Sequence, residues 1–447
     1  MLYRKWGNES DFVIRFTSSW DKDRKMVEEV KLVMLVHVLE LTRVGALDRK
    51  LSARVVKSLE EFEMEGEGYE DVHEGLEAFL IDRIGQEAGA IGLGRSRNDH
   101  VATALRIRMR SSVLELLKLI LELRRTALSR AKDSIHILFP TFTHLQQAQP
   151  STFAHYMLHI DEELSTIWQS LFCSLKSLNR SPLGAGATVG TQVPLDRIRE
   201  AKALGFDDVL VNSLSASSSR LDLLQVSSML TLYVLTLSRF AEDLVVYSTL
   251  GIIELPDTHV STSSLMPQKR NPVTAEVARA KASDAIGHLV ALFTNYKGLP
   301  TGYNLDLQEM NPHYWELSDI AINTTIVLED IVKHLKVKEN SVEGFLSPYT
   351  LATDEAERRA LGGVPYRTAH AKVASEVSQG IFSPTINFQQ SISLKRVVGS
   401  PSPTVLSKDL ERGWRRLEED EENYTRYRTA VEERLKSVEE WKNELLR

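Results

Sequence analysis

The chain has 447 residues, more than one compact core accommodates, and this length predicts two or three domains. Hydrophobic residues make up 43% and charged residues 26%, the balance of a soluble globular protein, which excludes a disordered or membrane-embedded chain. With 54 basic against 61 acidic side chains the net charge is −7, which argues against nucleic-acid and anionic-membrane partners because both favour a basic surface. The single cysteine, Cys173, has no partner for an internal disulfide and fits a reducing cytoplasm. The first six residues, Met1-Leu2-Tyr3-Arg4-Lys5-Trp6, lack the apolar core of a secretory leader. The longest charge-free apolar stretch, Leu223 to Ser238, covers 16 residues, fewer than the roughly 20 of a bilayer span.

All 14 prolines lie between Pro140 and Pro403, so the intervals 1–139, 195–255, 313–347 and 404–447 can carry long helices. The residues inside them agree. Gly92-Leu93-Gly94 does not extend into GxGxxG and follows no strand pattern, which excludes a dinucleotide fold. From 99 to 132, Ala102, Leu105, Met109, Val113, Leu116, Ile120 and Leu123 recur at spacings of three and four, an apolar helical stripe. From 220 to 250, Leu223, Val226, Leu230, Tyr233, Leu237, Phe240, Leu244 and Tyr247 do the same. That segment is apolar on most sides and predicts the buried centre of a bundle. The tail repeats the pattern from Leu410 to Leu445, and its acidic run Glu418 to Glu422 reads as a solvated helix face. No βαβ alternation, repeat or low-complexity tract occurs. The expected fold is all-α, built on a long helical bundle.

Polar, proline-bearing segments at 85–99, 140–152, 181–196, 251–276 and 298–313 separate the helices and are read as loops, where chemistry concentrates. In Ser261-Thr262-Ser263-Ser264-Leu265-Met266-Pro267-Gln268-Lys269-Arg270-Asn271-Pro272, two serines precede two cations and an amide. A serine acts as a base only if its alkoxide is stabilised, and Lys269, Arg270 and Asn271 supply suitable groups. The alternative is a flexible polar linker. In Thr143-His144-Leu145-Gln146, the imidazole is a candidate general acid or base, or a structural histidine. His155 and His159 stand one helical turn apart, but no HExxH or third ligand completes a metal site. Gly94-Arg95-Ser96-Arg97-Asn98-Asp99 combines two guanidinium groups with a helix start, an anion site suited to carboxylates, with Asn98 or Asp99 as the expected N-cap.

Singly these signals are weak, but their order is distinctive. Thr143-His144-Leu145-Gln146 with Ala148-Gln149-Pro150, followed by the 263–272 serine segment, resembles the aspartase/fumarase superfamily. Four further stretches are similar to the argininosuccinate lyase family, which includes delta-crystallin. They are Glu70-Asp71-Val72-His73, Gly94 to Asp99, Tyr303-Asn304 with Asp306-Leu307-Gln308-Glu309, and Leu351-Ala352-Thr353-Asp354 with Gly363-Val364-Pro365-Tyr366-Arg367 and Ala369-His370. The resemblance spans roughly residues 3–375. It implies three helical domains, at 1–98, 99–344 and 345–447, with the long bundle forming the core of a homotetramer whose active sites are each assembled from three chains. The reaction it implies is reversible elimination of arginine and fumarate from argininosuccinate in arginine biosynthesis, in the cytoplasm, without cofactor or metal.

By the same resemblance, Ser263 removes a proton next to a substrate carboxylate. Lys269 and Asn271 stabilise the aci-carboxylate intermediate, and His144, paired with Glu276, serves the leaving nitrogen. Which of Ser263 and His144 is acid and which base stays open at this point. Ser19, Arg97, Asn98, Thr143, Tyr303 and Gln308 match substrate contacts, as do His73 and Arg220 from neighbouring chains. Several positions depart from the family pattern. Gly92-Leu93 replace a His-Thr pair, and Thr262 replaces a glycine. Ser215 replaces an aspartate, Ser219 and Leu221 flank Arg220 where acidic residues are usual, and Asn311 replaces a lysine. These changes leave two other readings: a lyase releasing fumarate from another succinyl-amine, and a catalytically silent crystallin-like protein.

Overall fold

The computed structural model describes residues 10–447, so the Met1–Trp6 stretch lies outside it. The N-terminal part carries α1 (Asp11–Thr17), a 3₁₀ segment (Trp20–Met26), α2 (Val27–Arg43), α3 (Arg49–Glu60) and α4 (Val72–Ile84). Then come the long helices: α5 (Arg97–Asp133), α6 (Phe153–Leu178), two short helices α7 (Arg197–Ala203) and α8 (Ser213–Ser218), α9 (Leu221–Thr249), α10 (Val273–Tyr296) and α11 (Asp306–His334). Four short helices follow, α12 (Glu339–Phe345), α13 (Ala352–Leu361), α14 (Tyr366–Ser378) and α15 (Phe388–Leu394), before the 44-residue α16 (Pro403–Leu446).

The all-α expectation holds, with one exception. The segment read as a loop at 140–152 is a β-hairpin, β1 (Leu138–Thr143) paired antiparallel with β2 (Gln146–Thr152). Its two-residue turn is His144-Leu145, both at positive φ (54° and 57°), the type I′ geometry that matches strand twist. Among the described residues, other pairing consists of two-residue ladders, Arg180–Ser181 with Asp208–Val209 and Ile253–Glu254 with Lys336–Val337, and an isolated bridge between Ser261 and Asn271.

Three helix starts also differ from expectation. The N-cap of α5 is Ser96, not Asn98 or Asp99. Its side chain receives the Asn98 N–H, and Asp99 Oδ1 accepts the Ser96 N–H in return, a capping box. The helix therefore begins at Arg97, with Arg97 and Asn98 in its first turn. Helix α10 begins at Val273, just after Pro272, so Glu276 stands on a helix rather than a loop. Helix α11 begins at Asp306 and contains Pro312. As the seventh residue of the helix, Pro312 offers no N–H to the Gln308 carbonyl, so one i→i−4 bond is missing there. Gln308 and Asn311 thus project from fixed turns.

The core runs along α5, α6, α9 and α11, where Leu117, Trp168, Tyr233 and Leu328 are fully buried. The Trp168 indole donates to the Leu117 carbonyl (3.1 Å). Helix α16 joins this core through Leu406, Leu417 and Val438. Gly413 makes that approach possible: a Cβ there would meet Leu128 Cδ2 at 2.6 Å. At the same crossing the buried Arg124 donates to Asp161 (2.9 Å) from α6 and Asp420 (2.6 Å) from α16. Such a triad costs desolvation but fixes which faces meet. Residues Ala356, Val373 and Phe382 form a separate small cluster. Helix α9 is long and apolar enough to cross a membrane by length and composition, yet Leu223, Tyr233, Leu237 and Leu244 are buried against the other bundle helices.

Candidate active site

The candidate residues fall into three groups within one chain. The first surrounds a cavity of about 430 Å³ lined by Glu70, Asp71, Glu77, Arg95, Arg97, Asn98 and Tyr303, among others. The α5 capping box sets Arg97 at its mouth, where it bridges Asp71 Oδ2 (2.6 Å) and Glu70 Oε2 (3.1 Å). Asp71 caps α4 by accepting the Glu74 N–H (2.8 Å). Ser19 is tied to this wall from the other side, its N–H donating to the Glu70 carbonyl (2.8 Å) and its hydroxyl to Asp23 Oδ2 (2.8 Å). Trp20 packs against Gly75, where a Cβ would lie 2.2 Å from the indole, so glycine is what lets the Ser19 segment dock.

Electrostatics in this wall follow from burial. The Asp23 carboxyl is pushed up to about 7, chiefly by desolvation and then by the Asp71 charge, against the lowering effect of the Ser19 hydrogen bond. His73 is fully buried, neither ring nitrogen has a protein partner, and desolvation with the charges of Arg95 and Arg97 holds it neutral. Tyr303 is raised by burial, while the nearby Arg220 and Arg97 oppose that shift. Arg220 is itself buried and donates to the Ser219 carbonyl (3.0 Å), leaving its Nε without a protein partner. Gln308 reaches the Thr17 carbonyl (3.4 Å). His73 and Arg220 therefore share a wall with Arg97 and Tyr303 of the same chain. A second cavity of about 500 Å³ adjoins this wall, and Ser215, Ser219 and Leu221, three of the departures from the family pattern, line it with Lys297.

The second group is the hairpin tip, where Thr143 and His144 are exposed. The third is the serine segment, a loop whose ends are closed by reciprocal backbone bonds between Ser261 and Asn271 (3.0 and 2.8 Å). Within it the Ser263 hydroxyl oxygen accepts two backbone N–H groups, from Leu265 (3.2 Å) and Met266 (3.1 Å). Lys269 is exposed on this loop and Glu276 on the first turn of α10. Among the described residues, no hydrogen bond or ion pair joins His144 to Ser263, Lys269 or Glu276 within one chain.

Of the two histidines on α6, His155 is engaged by Ser151 Oγ (2.9 Å) and the Gly399 carbonyl (2.9 Å), and no group of three metal-ligating side chains occurs among the described residues. The sequence reading missed Asp23, Glu70 and Asp71 as site residues. Asp23 lies four residues after Ser19, and that spacing was the available signal.

A family profile described as "Lyase" matches residues 14–287. Argininosuccinate lyase of Sulfurisphaera tokodaii is 49% identical over 433 residues, 96% of each chain. The enzymes of that name from Sulfolobus acidocaldarius and Pyrococcus furiosus are 46% and 42% identical, covering 97% and 94% of this chain and 97% and 96% of their own. Among solved structures, an EDDS lyase in complex with formate superposes with a TM-score of 0.82 at 23% identity, covering 94% of this chain and 93% of its own. A class II fumarase from Schistosoma mansoni gives 0.69 at 16% identity, covering 80% and 87%. These two establish the fold. With near-complete coverage by the three archaeal relatives and with motifs that fall on one cavity wall, one hairpin tip and one loop, the chain belongs to the argininosuccinate lyase family.

Proposed function

We propose that the protein catalyses the reversible elimination of argininosuccinate to arginine and fumarate, in arginine biosynthesis. Ser263 serves as the base and His144 as the acid. The Ser263 alkoxide takes a proton from the carbon beside a succinyl carboxylate, and the electron pair left behind spreads into that carboxylate as an aci-dianion. Lys269 and the Asn271 amide neutralise the added charge. As the dianion collapses to the fumarate double bond, the carbon–nitrogen bond breaks and His144, held by Glu276, delivers a proton to the departing guanidino nitrogen. Acid–base groups of this kind contribute ~10²–10⁴-fold each. The observation that carries the reading is the pair of backbone N–H groups on Ser263 Oγ, which stabilise an alkoxide as they would any oxyanion.

Ser19, His73, Arg97, Asn98, Thr143, Arg220, Tyr303 and Gln308 bind the substrate. In this reading the separated groups meet in a homotetramer, His144 from one chain, Ser263 from a second and the Arg97 wall from a third. Support comes from α10, where Ile286, Val290 and Phe293 are exposed at spacings of four and three on one face of a bundle helix. Three domains at 1–98, 99–344 and 345–447, no cofactor and a cytoplasmic location complete the proposal.

Turnover is tested by fumarate absorbance with argininosuccinate, adenylosuccinate and aspartate supplied in turn. Argininosuccinate alone should react. Turnover of another substrate with none of argininosuccinate favours the second reading, a lyase for a different succinyl-amine. The observations behind that reading are the 500 Å³ cavity lined by Ser215, Ser219 and Leu221 and the buried Asn311, whose Oδ1 has no protein partner.

A further inference from the structure

The serine loop is exposed, but its stem is not free. Arg270 donates to Asp257 (2.6 Å) and to the Leu255 carbonyl (3.0 Å), and the Ser261–Asn271 bridge closes the base. Two residues before that bridge stands His259, only 7% exposed. Its Nε2 lies 2.7 Å from Asp330 Oδ2 on α11, and its Nδ1 lies 3.0 Å from Thr274 Oγ1 on the first turn of α10. The Thr274 hydroxyl in turn donates to the His259 carbonyl (3.2 Å). One imidazole thus ties three chain segments together, and none of the residues singled out for the reaction is used in doing so.

The Asp330 carboxylate only accepts, so Nε2–H donates to it, and Nδ1 pairs with the Thr274 hydroxyl, which can act as donor or acceptor. The charged groups around it are Asp257 and Arg270 on its own segment, Asp330 and His334 on α11, and the Glu254–Lys338 pair beside the stem. His334 Nδ1 lies 3.1 Å from the other Asp330 oxygen.

We infer that His259 is a positioning residue, whose imidazole, bonded at both nitrogens, clamps the serine-loop stem against α10 and α11 so that Ser263 and Lys269 are presented in register. The inference rests on the serine loop carrying the reaction. Loss of either bond slackens the stem. The reacting groups themselves are untouched, so kcat is affected while substrate affinity is kept.

The test measures kcat and KM for argininosuccinate in the full-length enzyme carrying His259→Phe, His259→Gln or Asp330→Asn, with hydrogen exchange at the Ser261 and Asn271 amides. His259→Phe should lower kcat about tenfold or more with KM changed by less than about twofold, and should speed exchange at both amides. His259→Gln, which keeps one donor, should recover most of the rate and most of the exchange protection. Adding Asp330→Asn to His259→Phe should cost nothing further. The inference is overturned if His259→Phe keeps kcat within about twofold of wild type, or if the variants lose rate with exchange at both amides unchanged. If His259→Phe fails to assemble, the same two readouts on His259→Gln and Asp330→Asn decide. Ser263→Ala separates the two levels: a silent His259→Phe beside an inactive Ser263→Ala overturns the clamp alone, whereas an active Ser263→Ala overturns the loop reading and the clamp with it.

Discussion

Glu200 is a fully buried carboxyl, neither of whose oxygens has a hydrogen-bond partner, and it lies 3.9 Å from the His37 ring. Desolvation, and then the charge of Glu40, pushes it up to about 8 from the ordinary 4.5. The folded state therefore holds a proton that the unfolded chain releases. The associated stability is fully present below pH 4.5 and is lost as pH rises through about 8. Glu200→Gln should remove that slope. Its melting temperature, followed from pH 4.5 to 9, should rise relative to wild type with increasing pH; parallel curves would refute the assignment. Arg97 offers a second test at this scale. Its two terminal nitrogens bridge Glu70 and Asp71, a fork that lysine does not reproduce. Arg97→Lys should raise KM about tenfold while kcat changes less, read in the fumarate assay.

Helix α16 meets α5 so closely at Gly413 that a methyl group there overlaps Leu128. Gly413→Ala favours helix intrinsically, yet overpacking of this kind costs about 1–3 kcal/mol, so thermal or urea unfolding should show net destabilisation. Leu128→Ala added to it should restore part of the loss if the contact is the cause. Helices were the legible elements, because proline-free intervals and three-four spacing mark α5, α9 and α16 directly. The 138–152 hairpin was not legible. Its strands carry Pro140 and Pro150, and its turn is His-Leu rather than a glycine or asparagine pair, so no turn signal announces it. The start of α11 was obscured by Pro312, and that of α5 by a choice of three capping residues that only the reciprocal Ser96–Asp99 bonds resolve. Of the candidate site, Arg97, Asn98 and Tyr303 were named from the sequence and line one cavity, whereas Asp23 was marked only by its four-residue spacing from Ser19, and His259 meets Asp330 from far off in sequence.

One chain holds three incomplete parts: an acidic and guanidinium-lined cavity, an imidazole on a hairpin tip and a serine loop with an exposed lysine. Exposed apolar side chains along α10, with Leu232 on α9 and Ile326 on α11, give bundle helices a further surface to bury. Light scattering should report four subunits, and Phe293→Asp together with Val290→Asp should dissociate them and abolish turnover. A monomeric wild type of full activity would contradict the shared-site reading. The sharpest discrimination comes from mixing two inactive tetramers, one carrying Ser263→Ala and the other His144→Asn, and allowing their subunits to exchange. Sites built from different chains predict that fumarate release reappears, because some hybrid sites receive an intact serine from one subunit and an intact imidazole from another. Exchange verified by mass spectrometry with no recovered activity would show that both groups must come from a single chain, and would contradict the proposed assembly.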